Sequence, residues 1–274
     1  MLKTKSALYA VALWQVIMLS AKLSPCQILW SADMETGDLR QWYRSKGKGK
    51  GGGEFDSGDA TAAASRDYAH SGKWSLKLTI TAPPGKGGHS SGARMFRWEE
   101  AADPAHFSSG LYYGAWFYFP QAFRLTADRR TGGFWSILQF KSKHSAGNDP
   151  IWYLDIQNQP DRPMYPTLYW WNRLAMEGPR EKESGGRRFT QSAANLPVGR
   201  WVHIEVYLKQ ASDFTGRITV WQDGMQIFDE SNVKTRYADG DNQWSVNNYS
   251  DGLQPAPSTI YIDDATISTS RVGP

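Results

Sequence analysis

The sequence predicts an all-β protein, an antiparallel β-sandwich of jelly-roll type, on three observations. Short runs rich in Trp, Tyr, Ile and Val are separated by Gly, Pro, Asn and Asp clusters. Where a run is long enough to read, apolar and polar residues alternate with period two, and no helical period lasts beyond a couple of turns. Many such strands in one chain imply two packed sheets.

The first element is not part of the sandwich. Lys3 and Lys5 precede an apolar run over residues 7–21, about the length of a signal h-region and short of the ~20 residues a spanning helix needs. Residues 1–21 are therefore expected to be a signal peptide for a secreted protein, extracellular or periplasmic, without stable membrane association after cleavage; an uncleaved anchor is the competing reading. The remaining roughly 250 residues suit one large sandwich, so 22–274 is expected to be a single domain. The formal charge of +4 falls to +2 without Lys3 and Lys5, so the whole-chain charge says little about partners and only local clusters matter; no nucleic acid is expected as a partner, and a monomer is. Lys46, Lys48, Lys50, Arg187 and Arg188 lie among glycines and read as solvated loops. The single cysteine, Cys26, forms no intrachain disulfide, and Pro25 before it breaks a lipoprotein pattern.

Strands are expected over residues 74–80, 112–119, 135–141, 151–157, 167–171, 201–209 and 259–267. In 201–209, Val202, Ile204, Val206 and Leu208 can face a core while His203, Glu205 and Tyr207 face away. A strand follows from Gly216, and Asp223-Gly224 is a two-residue hairpin turn. The tract from Gly47 to Gly53 reads as a flexible loop. Trp116, Tyr118, Tyr153, Tyr169, Trp171 and Trp201 crowd these strands, and such rings stack on the C–H faces of sugars. Trp170 and Trp171 point to opposite faces, so one of them is expected to be buried.

Six segments stand out: Trp201-Val-His-Ile-Glu-Val-Tyr-Leu-Lys, Gly216-Arg-Ile-Thr-Val-Trp-Gln-Asp-Gly, Asn248-Tyr-Ser, Tyr261-Ile-Asp-Asp-Ala-Thr-Ile, Glu35-Thr-Gly-Asp-Leu and Tyr113-Gly-Ala-Trp-Phe-Tyr-Phe-Pro. Together they resemble the concanavalin-like polysaccharide lyases, the group that includes heparin lyase I, glucuronan lyase and jelly-roll alginate lyases. The resemblance covers nearly the whole chain after residue 21, and it specifies the sandwich better than the reaction. It implies β-elimination from an anionic, uronic-acid-containing polysaccharide, with no organic cofactor. Where alginate lyases carry Gln-x-His, this chain has Gln139-Phe140-Lys141, with His144 three residues on; the expected arginine strand offers both Arg94 and Arg97.

β-Elimination needs a group that neutralises the sugar carboxylate, a base for the C5 proton and an acid for the leaving oxygen. Gln139 and Arg94 or Arg97 suit the first role; His203, His144 or Lys141 the second; Tyr207 or Tyr153 the third. The catalytic set is thus expected to be Gln139, Lys141, His203, Tyr207 and Arg94. Arg97, His144, Tyr153, Asp155, Tyr169, Trp171 and Glu205 are the expected substrate contacts, and Tyr153, Asp155, Tyr169, Trp171 and Glu205 are expected on one polar sheet face with Gln139, Lys141, His203 and Tyr207. A non-catalytic lectin-like protein is the rival reading, and a glycoside hydrolase using Asp155 and Glu205 a further one. A base and a tyrosine within reach of Gln139 would favour the lyase. Finally, Asp263-Asp264 opposite Asp33-Met-Glu35 is similar to the calcium position on the convex side of related sandwiches, and the resemblance implies a structural calcium ion held by Glu35 and Asp264.

Overall fold

The computed structural model describes residues 26–43, 51–82, 90–98, 109–126, 133–144, 147–171, 186–238 and 242–274. The expected signal peptide lies outside them. Among the described residues there are two large antiparallel sheets and a single helical turn, α1 (Arg40–Tyr43). This is the all-β jelly-roll sandwich the alternation calls for, and no described helix is long and apolar enough to cross a membrane.

In chain order the strands are β1 Ile28–Ala32, β2 Gly52–Glu54, β3 Ala60–Ser65, β4 Ser75–Ile80, β5 Ser91–Trp98, β6 Leu111–Tyr118, β7 Arg124–Leu125, β8 Trp135–His144 and β9 Gly147–Gln159. They continue as β10 Arg162–Trp170, β11 Arg187–Phe189, β12 Trp201–Lys209, β13 Gly216–Gln222, β14 Met225–Val233, β15 Asn242–Ser250, β16 Leu253–Gln254 and β17 Ser258–Ser268. One sheet runs β14-β13-β12-β6-β17-β4-β3, with β1 also on β17; the second runs β11-β10-β9-β8-β15-β5-β2. β7 and β16 make a small separate pair.

Alternation decides what each sheet gives to the core. On β12, Val202, Ile204, Val206 and Leu208 are at most 1% exposed and sit opposite Phe117, Ala115, Tyr113 and Leu111 of β6. From the second sheet, Trp152, Leu154 and Ile156 of β9, Leu168 and Trp170 of β10, and Trp244 and Val246 of β15 face them. Trp30, Trp42 and Trp244 form an aromatic knot with centroids 4.8–6.0 Å apart.

One charged side chain enters this knot. Arg97 is fully buried, with its guanidinium 5.0 Å from the Trp30 ring and donating to the Trp42 carbonyl at 2.6 Å. Burial lowers its pKa to about 10. The expectation that Arg97 reaches substrate is corrected accordingly: it shares the inward face of β5 with Ala93 and Met95, three residues and hence one face away from Arg94.

Candidate active site

The second sheet turns its other face to a groove of about 1080 Å³. Gln139 and Lys141 reach its floor from β8, past a bulge between Ser136 and Leu138 that resets the alternation. Tyr153 stands directly across from Gln139 on β9, and Tyr169 across from Tyr153 on β10. Asp155 follows two residues after Tyr153, and Trp171 continues the β10 side of the wall. These expected contacts are therefore brought together. His144 closes β8, and its side chain lies outside the described residues.

Arg94 comes from β5 and is held between two rings, 4.0 Å from the centroid of Phe55 and 4.2 Å from that of Tyr249. Its Nε also donates to the Phe55 carbonyl at 3.3 Å, and burial lowers its pKa. Tyr249 can cross β5 only because residue 92 is glycine: a Cβ there would lie 2.4 Å from the tyrosine ring. Gln139 is 1% exposed, and neither its amide nitrogen nor its oxygen has a hydrogen-bond partner; both polar atoms of Asn247, opposite Arg94 on β15, are in the same condition. Buried amides left open are costly unless something that binds there completes them.

At the other end, Asp155 is 1% exposed. Burial pushes its carboxyl up to about 7, against the opposing pull of Arg188. Arg188 Nη1 lies 3.4 Å from Asp155 Oδ2 and 2.7 Å from Thr167 Oγ1. Residues 187 and 188 thus belong to edge strand β11 rather than to a loop, and Arg188 lines the groove. A raised carboxyl pKa means that the folded state holds a proton the unfolded chain gives up near pH 4, so Asp155 lowers stability as pH rises from there towards 7. Asp155→Asn is expected to raise Tm at pH 8 by a few degrees, on the order of 2–4 °C per kcal/mol, and to lose that gain towards pH 4. Equal melting of variant and parent at pH 8 would show that the carboxyl ionises at no cost.

Three expected site residues are elsewhere. His203, Glu205 and Tyr207 belong to β12 in the first sheet and point away from the core on the opposite side of the sandwich. His203 packs 5.0 Å from Trp116, and burial lowers its pKa. Glu205 Oε2 accepts from Arg271 at 2.7 Å and its Oε1 from the Val272 amide at 2.8 Å, so it fastens the C-terminal tail. Tyr207 donates to the Ser109 carbonyl at 2.8 Å. Trp116, Tyr118 and Trp201 share that outer face. Asp155 and Glu205 are consequently on different sheets and do not flank a common glycosidic bond. Sequence reasoning missed Tyr249, Asn247, Arg188 and Phe55; only Tyr249 carried a signal, as part of Asn248-Tyr-Ser.

Glu35 and Asp264 meet the same loop, far from the groove in the first sheet's periphery. Glu35 Oε1 accepts from the amides of Lys73 and Trp74 at 2.7 and 2.8 Å, while Asp264 binds Ser71 Oγ at 2.8 Å and His70 Nδ1 at 2.7 Å. Asp263 accepts the His70 amide, and burial together with the adjacent Asp264 charge pushes it up to about 7.

A polysaccharide lyase family model matches residues 34–266. The chain belongs to the polysaccharide lyase family. No curated protein sequence matches it. Among solved structures, the family member is similar to an endo-β-1,4-glucuronan lyase from the fungus Trichoderma reesei, at 18% identity and TM-score 0.60, over 89% of this chain and 96% of that one. It is also similar to the cellulose-induced protein Cip1 (16% identity, TM-score 0.55, 89% and 99% covered). A marine alginate lyase from Aplysia kurodai aligns at 11% identity and TM-score 0.55, with 90% and 100% covered. At these identities the likeness of this lyase-family chain to the three is one of fold.

Proposed function

We propose that the protein is a secreted lyase that cleaves a uronic-acid-containing polysaccharide by β-elimination. The observation that carries this reading is the Gln139 amide, buried on the groove floor with no partner on either polar atom. Beside it the groove supplies cations, Arg94 and Lys141, and phenols, Tyr249 and Tyr153.

A sugar carboxylate seated on Gln139, with Arg94 and Lys141 near it, loses much of its negative charge. The C5 proton is then acidified, because the carbanion's charge spreads onto the same carboxylate. Tyr249 is the proton-exchanging group: it takes the C5 proton and returns it to the glycosidic oxygen as the C4–O bond breaks and the C4=C5 bond forms. Arg94 against its ring fixes the phenol in place. Of the roles first expected on His203 and Tyr207, none can be filled from the outer face of the other sheet.

The deciding experiment is incubation with glucuronan, alginate and heparin, following the ultraviolet absorbance of the unsaturated product. Turnover of one of them supports the reading. Binding without turnover of any would make the protein a lectin-like relative instead.

A structural calcium ion at Glu35 and Asp264 is part of the same reading. Its support is the adjacent pair Asp263 and Asp264, which repel each other and bind the same loop that Glu35 fastens through the Lys73 and Trp74 amides. Among the described residues no group of three or more His, Cys, Asp or Glu side chains stands ready to hold a metal, so carbonyl oxygens of the loop would have to complete the set. Chelation is expected to lower Tm without changing glycan affinity; an unchanged melting curve removes the ion.

A further inference from the structure

The Asp155 end of the groove carries polar groups that the elimination does not use. Oδ1 of Asp155 is buried without a partner, although the groove opens above it. At 3.4 Å its Oδ2 contact with Arg188 is slack, because the guanidinium is held by Thr167 at 2.7 Å instead. The Arg188 guanidinium lies 4.9 Å over the Tyr169 ring, and Tyr169 and Trp171, both half-buried, have centroids 6.2 Å apart with planes tilted by 34°.

An acceptor oxygen, a planar cation with several donors and an aromatic wall are what a pyranose ring requires. Its C–H face stacks on the rings, its hydroxyls donate to the carboxylate, and its oxygens accept from the guanidinium. Strands β8 and β11 are three places apart in the sheet, so Gln139 and Arg188 are separated by roughly 14 Å at about 4.8 Å per strand. One sugar does not span both. Arg188 is already engaged by Thr167 and Asp155, so this end offers no second cation like the Arg94 and Lys141 pair for a carboxylate.

We propose that Asp155, Arg188, Tyr169 and Trp171 form a second subsite that reads the hydroxyl groups of a neighbouring pyranose, neutral or acidic, rather than a uronate carboxylate. It deepens the lyase reading, since both subsites hold one glycan chain.

The test is calorimetric titration of glucuronan disaccharide and hexasaccharide into the Gln139→Ala protein, which slows turnover enough for binding to be read, with and without Asp155→Asn or Trp171→Ala. Asp155→Asn is expected to weaken hexasaccharide binding by roughly threefold to tenfold, the worth of a hydrogen bond, Trp171→Ala by a similar factor, the worth of a stacked ring, and disaccharide binding should fall by less than twofold in either. Equal losses at both lengths, or none, overturn the subsite. If wild type neither binds nor cleaves uronate chains, the lyase reading fails alone. The subsite then stands only if xylohexaose, a neutral chain, binds and loses affinity with both changes; no binding of xylohexaose overturns it too.

Discussion

Gln139→Ala is expected to lower kcat on the acidic glycan that the enzyme cleaves by roughly 10² to 10³, the range for loss of one preorganised donor to developing charge. The melting temperature should stay where it is or rise. In the free protein the amide has no partner, so its removal orphans nothing and relieves a desolvated polar group. KM should move less than kcat, because Arg94 and Lys141 still attract the ground-state carboxylate while the charge that grows during proton removal loses its nearest donor. Steady-state kinetics on the ultraviolet product, with thermal melts on the same preparations, separate the two effects. Wild-type turnover in the variant would place the carboxylate elsewhere in the groove.

Much of the sandwich was legible because alternation is a local property. The dry face Val202, Ile204, Val206 and Leu208 is where period two puts it. What alternation does not state is the sheet to which a strand belongs. Each sheet of a sandwich has a face turned from the core, and the polar residues of β8 and of β12 satisfy the same rule on opposite sides of the molecule. For that reason Gln139 and Lys141 were assigned correctly to a polar face while His203, Glu205 and Tyr207 were joined to them wrongly. Strand order, fixed by long-range pairing, was the missing information.

The arginines were separable by parity. Ala93 and Met95 face inward, which sends Arg97 in and Arg94 out, but a charged residue in phase with apolar ones disguises the pattern. β15 hid itself differently. From Asn242 to Ser250 it is almost wholly buried and mostly polar, because one face meets the core and the other floors the groove, so composition gives no strand signal. Arg188 sits on a strand of three residues beside glycines, too short for any period to show.

Tyr249→Phe is expected to cost a factor of roughly 10² to 10⁴ in kcat, the range for a positioned proton-transfer group, whereas Tyr207→Phe should turn over as wild type does. Phenylalanine keeps the ring that packs over Gly92 and against Arg94, so the groove retains its shape and its guanidinium its place; only the hydroxyl is lost. Tyr207 supplies the matched comparison, since its hydroxyl bonds the Ser109 carbonyl at 2.8 Å on the far side of the sandwich. A loss in the first variant with none in the second ties proton transfer to the groove of the second sheet. Should Tyr249→Phe retain full turnover, the proton must pass through another titratable group of the groove, Tyr153, Lys141, Asp155 or Tyr169, and the variant of that group would then take the loss. Should Tyr207→Phe lose activity while keeping its melting temperature, the outer face of β12 would take part in the chemistry after all, and the groove assignment would fall.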